Sequence, residues 1–508
     1  MTAVEFRTPA DPTRADDLHH ARAAAANTRV VDAALATLTD ALGGTAEVER
    51  ILLRASAGAG KSFALVRMVE HALAVGGAGR VAVTAFQNRQ VQPLARKLGE
   101  SLGAQRVALL AGKAVVVPDD VSASVTVVRK ATELSPGVEV VLGTASRLGA
   151  IGERRRLVEK LGAEDDGHPF DVLFVDEAWQ MPQHLFAKVK DLGRVIVGVG
   201  DVGQLPPLDP GQNPWRGDPG HNPYRAWPTA FADDSATWAE DLPTVWRPAA
   251  EQLGLWRAFY PDWAELHSVA APGDRSLVTA LDDVVVASVW GQVGSARPTL
   301  LEVTGLEEPD SPDVDLPLMS IVETLLDQIL TGGFELRERV YGPDGSPGGD
   351  RSRTVAAPGD DPLLVILATR NQAVDDAQAI VERLVARHGL GEGVLVASTV
   401  DSWQGQTNGI TIAVHPLSGA DRLDEFNSAF GRLAVACTRA THGLILLARE
   451  GLDELLADAA ARPGTAFGEP GPRTLPRQTH DRIVAALDRG VLDVADLPQP
   501  AHEEGSPA

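Results

Sequence analysis

The stretch ASAGAGKS, residues 55–62, ends in the residue types that hold a polyphosphate. Gly58 and Gly60 let backbone N–H groups come close to phosphate oxygens, Lys61 adds a positive charge, and the Ser62 hydroxyl can ligate magnesium. Ala57, Gly58, Ala59, Gly60, Lys61 and Ser62 are therefore the candidate nucleotide-binding run. The usual pattern, G-x-x-x-x-G-K-[ST], opens on glycine, whereas this chain has Ala55. Alanine serves there provided its backbone needs no positive φ. The helical pattern FALVRMVEHAL follows directly and sets a helix N-terminus behind the phosphates. A glycine turn between a strand and a helix is the plainer alternative.

Two further stretches carry acid and amide groups. In FDVLFVDEAWQMP (170–182) an apolar run delivers Asp176 and Glu177 to the carboxyl end of a strand, where ligands sit in α/β folds. Asp176 can hold magnesium, and Glu177 can orient and deprotonate an attacking water. On its own such a pair is an ordinary solvated turn; paired with a phosphate loop upstream it points to hydrolysis. In VGVGDVGQLPPL a strand ends at Gly200-Asp201 and then presents Gln204 on a turn stiffened by Pro206 and Pro207. A neutral amide beside a γ-phosphate can distinguish triphosphate from diphosphate.

The elements that must position these groups read as α/β. Apolar runs rich in β-branched residues, RVAVTAF, VEVVLGTAS, FDVLFVDEA and RVIVGVGD, alternate with helical patterns, which suits parallel strands covered on both faces. A second series follows Trp246: TLLEVTG, MSIVETLLDQIL, PLLVILAT, NQAVDDAQAIVERLVARHG, VLVAST, GITIAVH and HGLILLA. The expected organisation is a leader over 1–28, one α/β domain over 29–240 and a second over 241–460. A proline-rich tail with one short helix then covers 461–508. Segment 341–362 reads as a mobile loop. Segment 209–228, rich in Pro, Gly and Asn, reads as a surface excursion. Alternatively its Trp215, Arg216, Tyr224 and Trp227 offer a stacking or docking surface.

Bulk properties bound the function. A chain of 508 residues exceeds the reach of one hydrophobic core. A single cysteine, Cys437, excludes an internal disulfide framework and fits a reducing compartment. No apolar stretch suits a secretion signal or a membrane span, so a cytoplasmic location without membrane association is expected. The formal net charge of −23 argues against general affinity for nucleic acid while leaving room for a confined basic groove.

Taken together, GAGKS, DEAWQ, GDVGQLPP, LPTVWRP, STVDSWQGQT and RLAVACTRATHG resemble, in order and context, the motifs of superfamily 1 helicases. The nearest branch is the 5′→3′ group containing the RNA-surveillance helicase and the RecD and DNA2-like enzymes. ASAGAGKS itself is closer to the RecB/UvrD-type loop. The resemblance runs from about residue 50 to 448. It implies two RecA-like P-loop domains with parallel sheets and an ATP site in the cleft between them, using ATP and Mg²⁺.

Carried onto this sequence, the resemblance gives catalytic roles to Lys61, Asp176, Glu177, Gln204, Arg247 and Arg439, the two arginines reaching the γ-phosphate. Ser62 and Asp176 take the metal. Trp246 and Gly405 join the nucleotide-binding set, Trp246 replacing a tyrosine that stacks on the base. Thr84, Phe86, Asn88, Thr144, Ser398, Thr399 and Trp403 become the nucleic-acid contacts, with Phe86 and Trp403 equally readable as core aromatics.

Departures are specific. Thr407 stands where the family has a glutamate on the ribose, and NTRVVDAALATL offers no clear counterpart of the glutamine that reads adenine. Neither the interval before the phosphate loop nor that between Leu98 and Gly143 has room for the β-barrel accessory domain of many relatives. The expected activity is ATP-driven stepping along single-stranded DNA or RNA, DNA ahead of RNA, 5′→3′. Two alternatives remain: an ATP-driven switch or motor subunit of a larger nuclease or defence complex, and a small-molecule phosphotransferase.

Overall fold

Unbroken runs of Val, Ile, Leu and Ala become strands buried on both faces, and that pattern sets the architecture of both halves. The computed structural model describes residues 2–9, 14, 16–162, 167–203, 205, 207, 213–215, 220–309, 311, 314–424, 427, 430–459 and 476–498. The described residues divide into two units, one within 26–243 and the other within 2–25 and 244–498.

The Ala26–Pro243 unit holds an eight-stranded sheet in which every pairing is parallel. Its spatial order is Thr126–Val128, Val107–Leu110, Val140–Thr144, Val81–Ala85, Phe170–Asp176, Gly193–Asp201, Arg50–Ala55, Thr237–Asp241. The chain leaves Arg50–Ala55 through the helix Lys61–Ala74 and returns at Val81–Ala85, passing over two strands filled later. Those two, Phe170–Asp176 and Gly193–Asp201, end in the acidic residues. Register aligns the ends: Ala55 lies beside Asp201, Asp176 beside Val199, and Ala85 beside Thr144. This collects the candidate groups at the carboxyl ends of adjacent strands.

Trp227 is fully buried, stacked on Phe186 with centroids 4.0 Å apart and an interplanar angle of 7°. The 209–228 segment is therefore no simple excursion at its end, because backbone bonds from Gln183 and His184 to the Arg225 and Pro223 carbonyls tie it down. Trp227 belongs to the core and not to a docking face. Trp215 is exposed, Tyr224 packs edge-on against His184, and Arg216 lies outside the described residues.

The other unit holds a seven-stranded sheet ordered Phe6–Arg7, Asp488–Asp493, Thr299–Thr304, Ala440–Arg449, Asn408–Val414, Leu364–Ala368, Leu395–Thr399. All pairings are parallel except that of the first strand. Residues expected as leader and tail thus close one edge of this sheet. The Phe6 ring occupies the space over Gly490, where a Cβ would meet it at 2.6 Å. The expected short tail helix is Pro476–Val484, and the strand Asp488–Asp493 after it is an addition to the reading.

The expected loop at 341–362 contains a strand instead of being loop throughout. Pro347–Thr354 pairs antiparallel with Phe334–Tyr341, which pairs with Arg275–Thr279. Backbone pairing holds this hairpin although its second strand is mostly exposed. Among the described residues no helix is long and apolar enough to cross a membrane.

Candidate functional site

The strand Arg50–Ala55 delivers the phosphate loop. Ala55 is fully buried and is not among the residues with positive φ, so the departure from glycine carries no backbone strain. Gly58 and Gly60 do take left-handed backbone, with φ of 79° and 86°. Gly60 is the N-cap of Lys61–Ala74 and supplies no side-chain cap, so the first N–H groups of that helix lack a capping side chain. Asn27 braces the loop by donating from Nδ2 to the Ala59 carbonyl at 3.0 Å.

Lys61 meets the acidic strand ends. Its Nζ lies 3.0 Å from Glu177 Oε1 and 3.8 Å from Asp201 Oδ2. Burial works against its charge, but Glu177, Asp201 and Asp176 outweigh burial and hold its pKa above the usual lysine value. Asp176 moves the other way. Desolvation, reinforced by the neighbouring Glu177 charge, pushes its pKa up to about 7, against the pull of Lys61. A buried carboxylate whose charge is this costly fits a divalent cation, which would relieve the penalty. Ser62 and Asp176 are the residues that would hold magnesium.

Glu177 has left-handed backbone, φ 48° and ψ 47°, a conformation that non-glycine residues adopt at a cost on the order of 1 kcal/mol. It turns the chain sharply after the strand. Gln180 then donates from Nε2 to Glu177 Oε2 at 3.2 Å, and Gln90 donates to Gln180 Oε1 at 3.0 Å. The side-chain Oε1 of Gln90 in turn accepts the Gln87 N–H at 3.0 Å, at the start of the helix Asn88–Leu102. A chain of amides thus joins the carboxylate to the segment carrying Phe86 and Asn88. The sequence motifs assign no role to Gln90 or Asp201; the sequence signal for Asp201 is its position at the end of a buried strand. Gln204 lies outside the described residues.

In the other unit, Arg247 is half-buried and donates from Nε to Thr407 Oγ1 at 3.2 Å and from Nη1 to the Thr438 carbonyl at 3.0 Å. Arg439 is buried, donating to the Val435 carbonyl at 3.1 Å and to Thr438 Oγ1 at 2.8 Å. Thr438 therefore joins the two guanidinium groups, and Thr407, at the position of the resembled family's glutamate, supports Arg247. Trp246 is half-buried, and Gly405 is exposed with φ 86°.

The expected nucleic-acid residues separate. Thr84 is fully buried in its strand with Oγ1 unpartnered, so its side chain does not reach the surface. Asn88 is exposed at the start of its helix, while Phe86 is partly buried against the core. Thr144 caps the strand beside Ala85 and is half-buried. Ser398 and Thr399 end the edge strand Leu395–Thr399, and Thr399 Oγ1 accepts the Ser402 N–H at 3.0 Å. Trp403 is half-buried, with its indole N–H donated to Asn408 Oδ1 at 3.0 Å.

A parallel sheet carrying a glycine loop, a lysine and strand-end carboxylates defines a P-loop nucleotide-binding fold. Residues 39–210 match the family model of an AAA domain. No curated protein matches the sequence. Among solved structures the chain is similar to the arterivirus nonstructural protein 10 helicase with DNA, at 17% identity and TM-score 0.39, covering 83% of this chain and 64% of that one. For the PRRSV helicase the values are 16%, 0.38, 82% and 56%. For the E. coli DExH-box NTPase HrpB they are 12%, 0.40, 86% and 43%. The chain spans less than two thirds of the length of each.

Proposed function

We propose that this protein is a nucleic-acid-dependent ATPase of the superfamily 1 helicase type, stepping along single-stranded DNA or RNA, with DNA favoured and movement 5′→3′. The observation that carries the reading is the convergence of Lys61, Glu177 and Asp201 at adjoining strand ends, with Asp176 buried beside them. The motif order supports the rest.

In this reading the phosphate loop binds the triphosphate and Lys61 transfers its charge from Glu177 to the phosphates. Freed of its ion pair, Glu177 accepts a proton from the attacking water while Gln180 keeps its carboxylate oriented. Magnesium, held by Ser62 and Asp176, would supply charge neutralisation on the phosphates. The motif resemblance assigns Arg247 and Arg439 to the γ-phosphate, a role that suits a guanidinium because it stays charged and presents a planar fork; Arg439 would have to give up its buried bonds to Val435 and Thr438 to take it. Asn88, just after the strand Val81–Ala85, and Thr144, at the end of its neighbour Val140–Thr144, are assigned to the nucleic acid, as are Phe86, Ser398, Thr399 and Trp403. The amide chain through Gln180 and Gln90 gives that contact a route to Glu177.

ATP hydrolysis measured with and without single-stranded DNA and RNA tests the proposal. Stimulation of tenfold or more by either polymer is expected, and it should vanish in Lys61→Ala. Hydrolysis indifferent to both polymers would favour the rival reading, an ATP-driven switch subunit, to which the acidic balance of the chain lends some support.

A further inference from the structure

Arg275 heads the strand Arg275–Thr279, in a stretch without any motif, and only 7% of it is exposed. Its two terminal nitrogens donate to backbone carbonyls, while Nε is buried without a partner. Nη2 donates to the Trp246 carbonyl at 2.9 Å, and Nη1 donates to the Arg247 carbonyl and, at 3.1 Å, to that of Thr441. Two of these acceptors belong to the motif that carries Arg247. The third belongs to the strand Ala440–Arg449, which begins immediately after Arg439. One side chain thus ties the Arg247 backbone to the sheet that also presents the second arginine.

We infer that Arg275 is a positioning residue for Arg247, and that the antiparallel sheet Arg275–Thr279, Phe334–Tyr341 and Pro347–Thr354 serves to hold it in place. The inference rests on the reading that Arg247 neutralises the γ-phosphate. Pro248 restricts the backbone of Arg247 to extended conformations, and its own carbonyl accepts the Ser268 hydroxyl at 3.1 Å. With Trp246 and Arg247 held by Arg275, the segment is fixed on both sides. The Arg247 side chain is then aimed by Thr407 and Thr438. Glu338, directly opposite Arg275 in the neighbouring strand, offsets part of the cost of burying the cation. Lysine cannot replace this arrangement, because a single ammonium does not span acceptors on two segments as a planar fork does.

The test uses steady-state ATP hydrolysis by the full chain carrying Arg275→Lys, Arg275→Met, Arg247→Ala, and each Arg275 change combined with Arg247→Ala. Misplacing a catalytic group by about 1 Å costs on the order of 10²-fold in rate. Arg275→Lys should therefore lower kcat roughly 10- to 100-fold with KM changed less than about threefold. In the Arg247→Ala background the same change should cost nothing further, since there is no longer a guanidinium to aim. Arg275→Lys keeps the buried charge, so it remains informative if Arg275→Met does not fold. An equal loss in both backgrounds, or wild-type kcat in Arg275→Lys beside an impaired Arg247→Ala, overturns the inference alone. Full kcat in Arg247→Ala removes the role of Arg247 itself, and this inference with it.

Discussion

At Glu177 a strained backbone and a shared carboxylate coincide. The residue holds left-handed φ and ψ while its side chain is divided between Lys61 and Gln180. Holding strain at such a point fixes the carboxylate direction before any ligand arrives. Asp176 beside it carries a measurable consequence. With its pKa at about 7, a large share of the free protein holds a proton there at neutral pH, and in the proposed function a metal–nucleotide complex would have to displace that proton. Affinity for Mg²⁺–ATP should therefore fall as pH drops below about 7, approaching tenfold per unit. Titration calorimetry in buffers of different ionisation enthalpy should show proton release on binding. In Asp176→Asn the release should disappear together with much of the metal dependence. The sign for stability is opposite to that of an ordinary salt-bridged aspartate. The folded state binds the extra proton, so this group's contribution to folding is complete below about pH 3.8, the unfolded value, and is lost progressively as pH rises to about 7.

Among the elements, the strand Gly193–Asp201 determines whether the turn at Glu177 can form. A Cβ on Gly200 would meet the Ala178 nitrogen at 2.7 Å and the Trp179 ring at 2.9 Å. Gly200→Ala should therefore cost about 1–3 kcal/mol of stability and displace Glu177. Thermal unfolding and kcat should fall together, whereas retained kcat would show that the turn accommodates the methyl.

The elements also differ in how openly the sequence announces them. Val81–Ala85, Phe170–Asp176, Leu364–Ala368 and Ala440–Arg449 were legible because each is a long apolar run with few alternatives. Val107–Leu110 and Thr126–Val128 are too short to stand out. The hairpin 334–354 was hidden because Glu338 occupies an inward position and the second strand is mostly exposed, which erases the alternation. The site shows the same division. Lys61 and Asp176-Glu177 lie in contiguous motifs, while Gln90 and Arg275 matter through contacts made across long stretches of chain, to Gln180 and to Trp246, Arg247 and Thr441.

For the molecule as a whole, a net charge of −23 means that any polynucleotide must be held by a local field against a repulsive background. Stimulation of hydrolysis by single strands should accordingly fall on the order of tenfold or more between about 50 and 200 mM salt. Hydrolysis without polymer should be far less sensitive; equal sensitivity would place the salt effect at the nucleotide instead of the strand. The proposal depends first on Lys61, Asp176 and Glu177 forming a site that hydrolyses a triphosphate. The most direct measurement compares ATP binding and single-turnover hydrolysis in Glu177→Gln and the unaltered protein. Retained binding with hydrolysis slowed about 10²- to 10⁴-fold is predicted, as for loss of a general base. Hydrolysis at the unaltered rate in Glu177→Gln would contradict it.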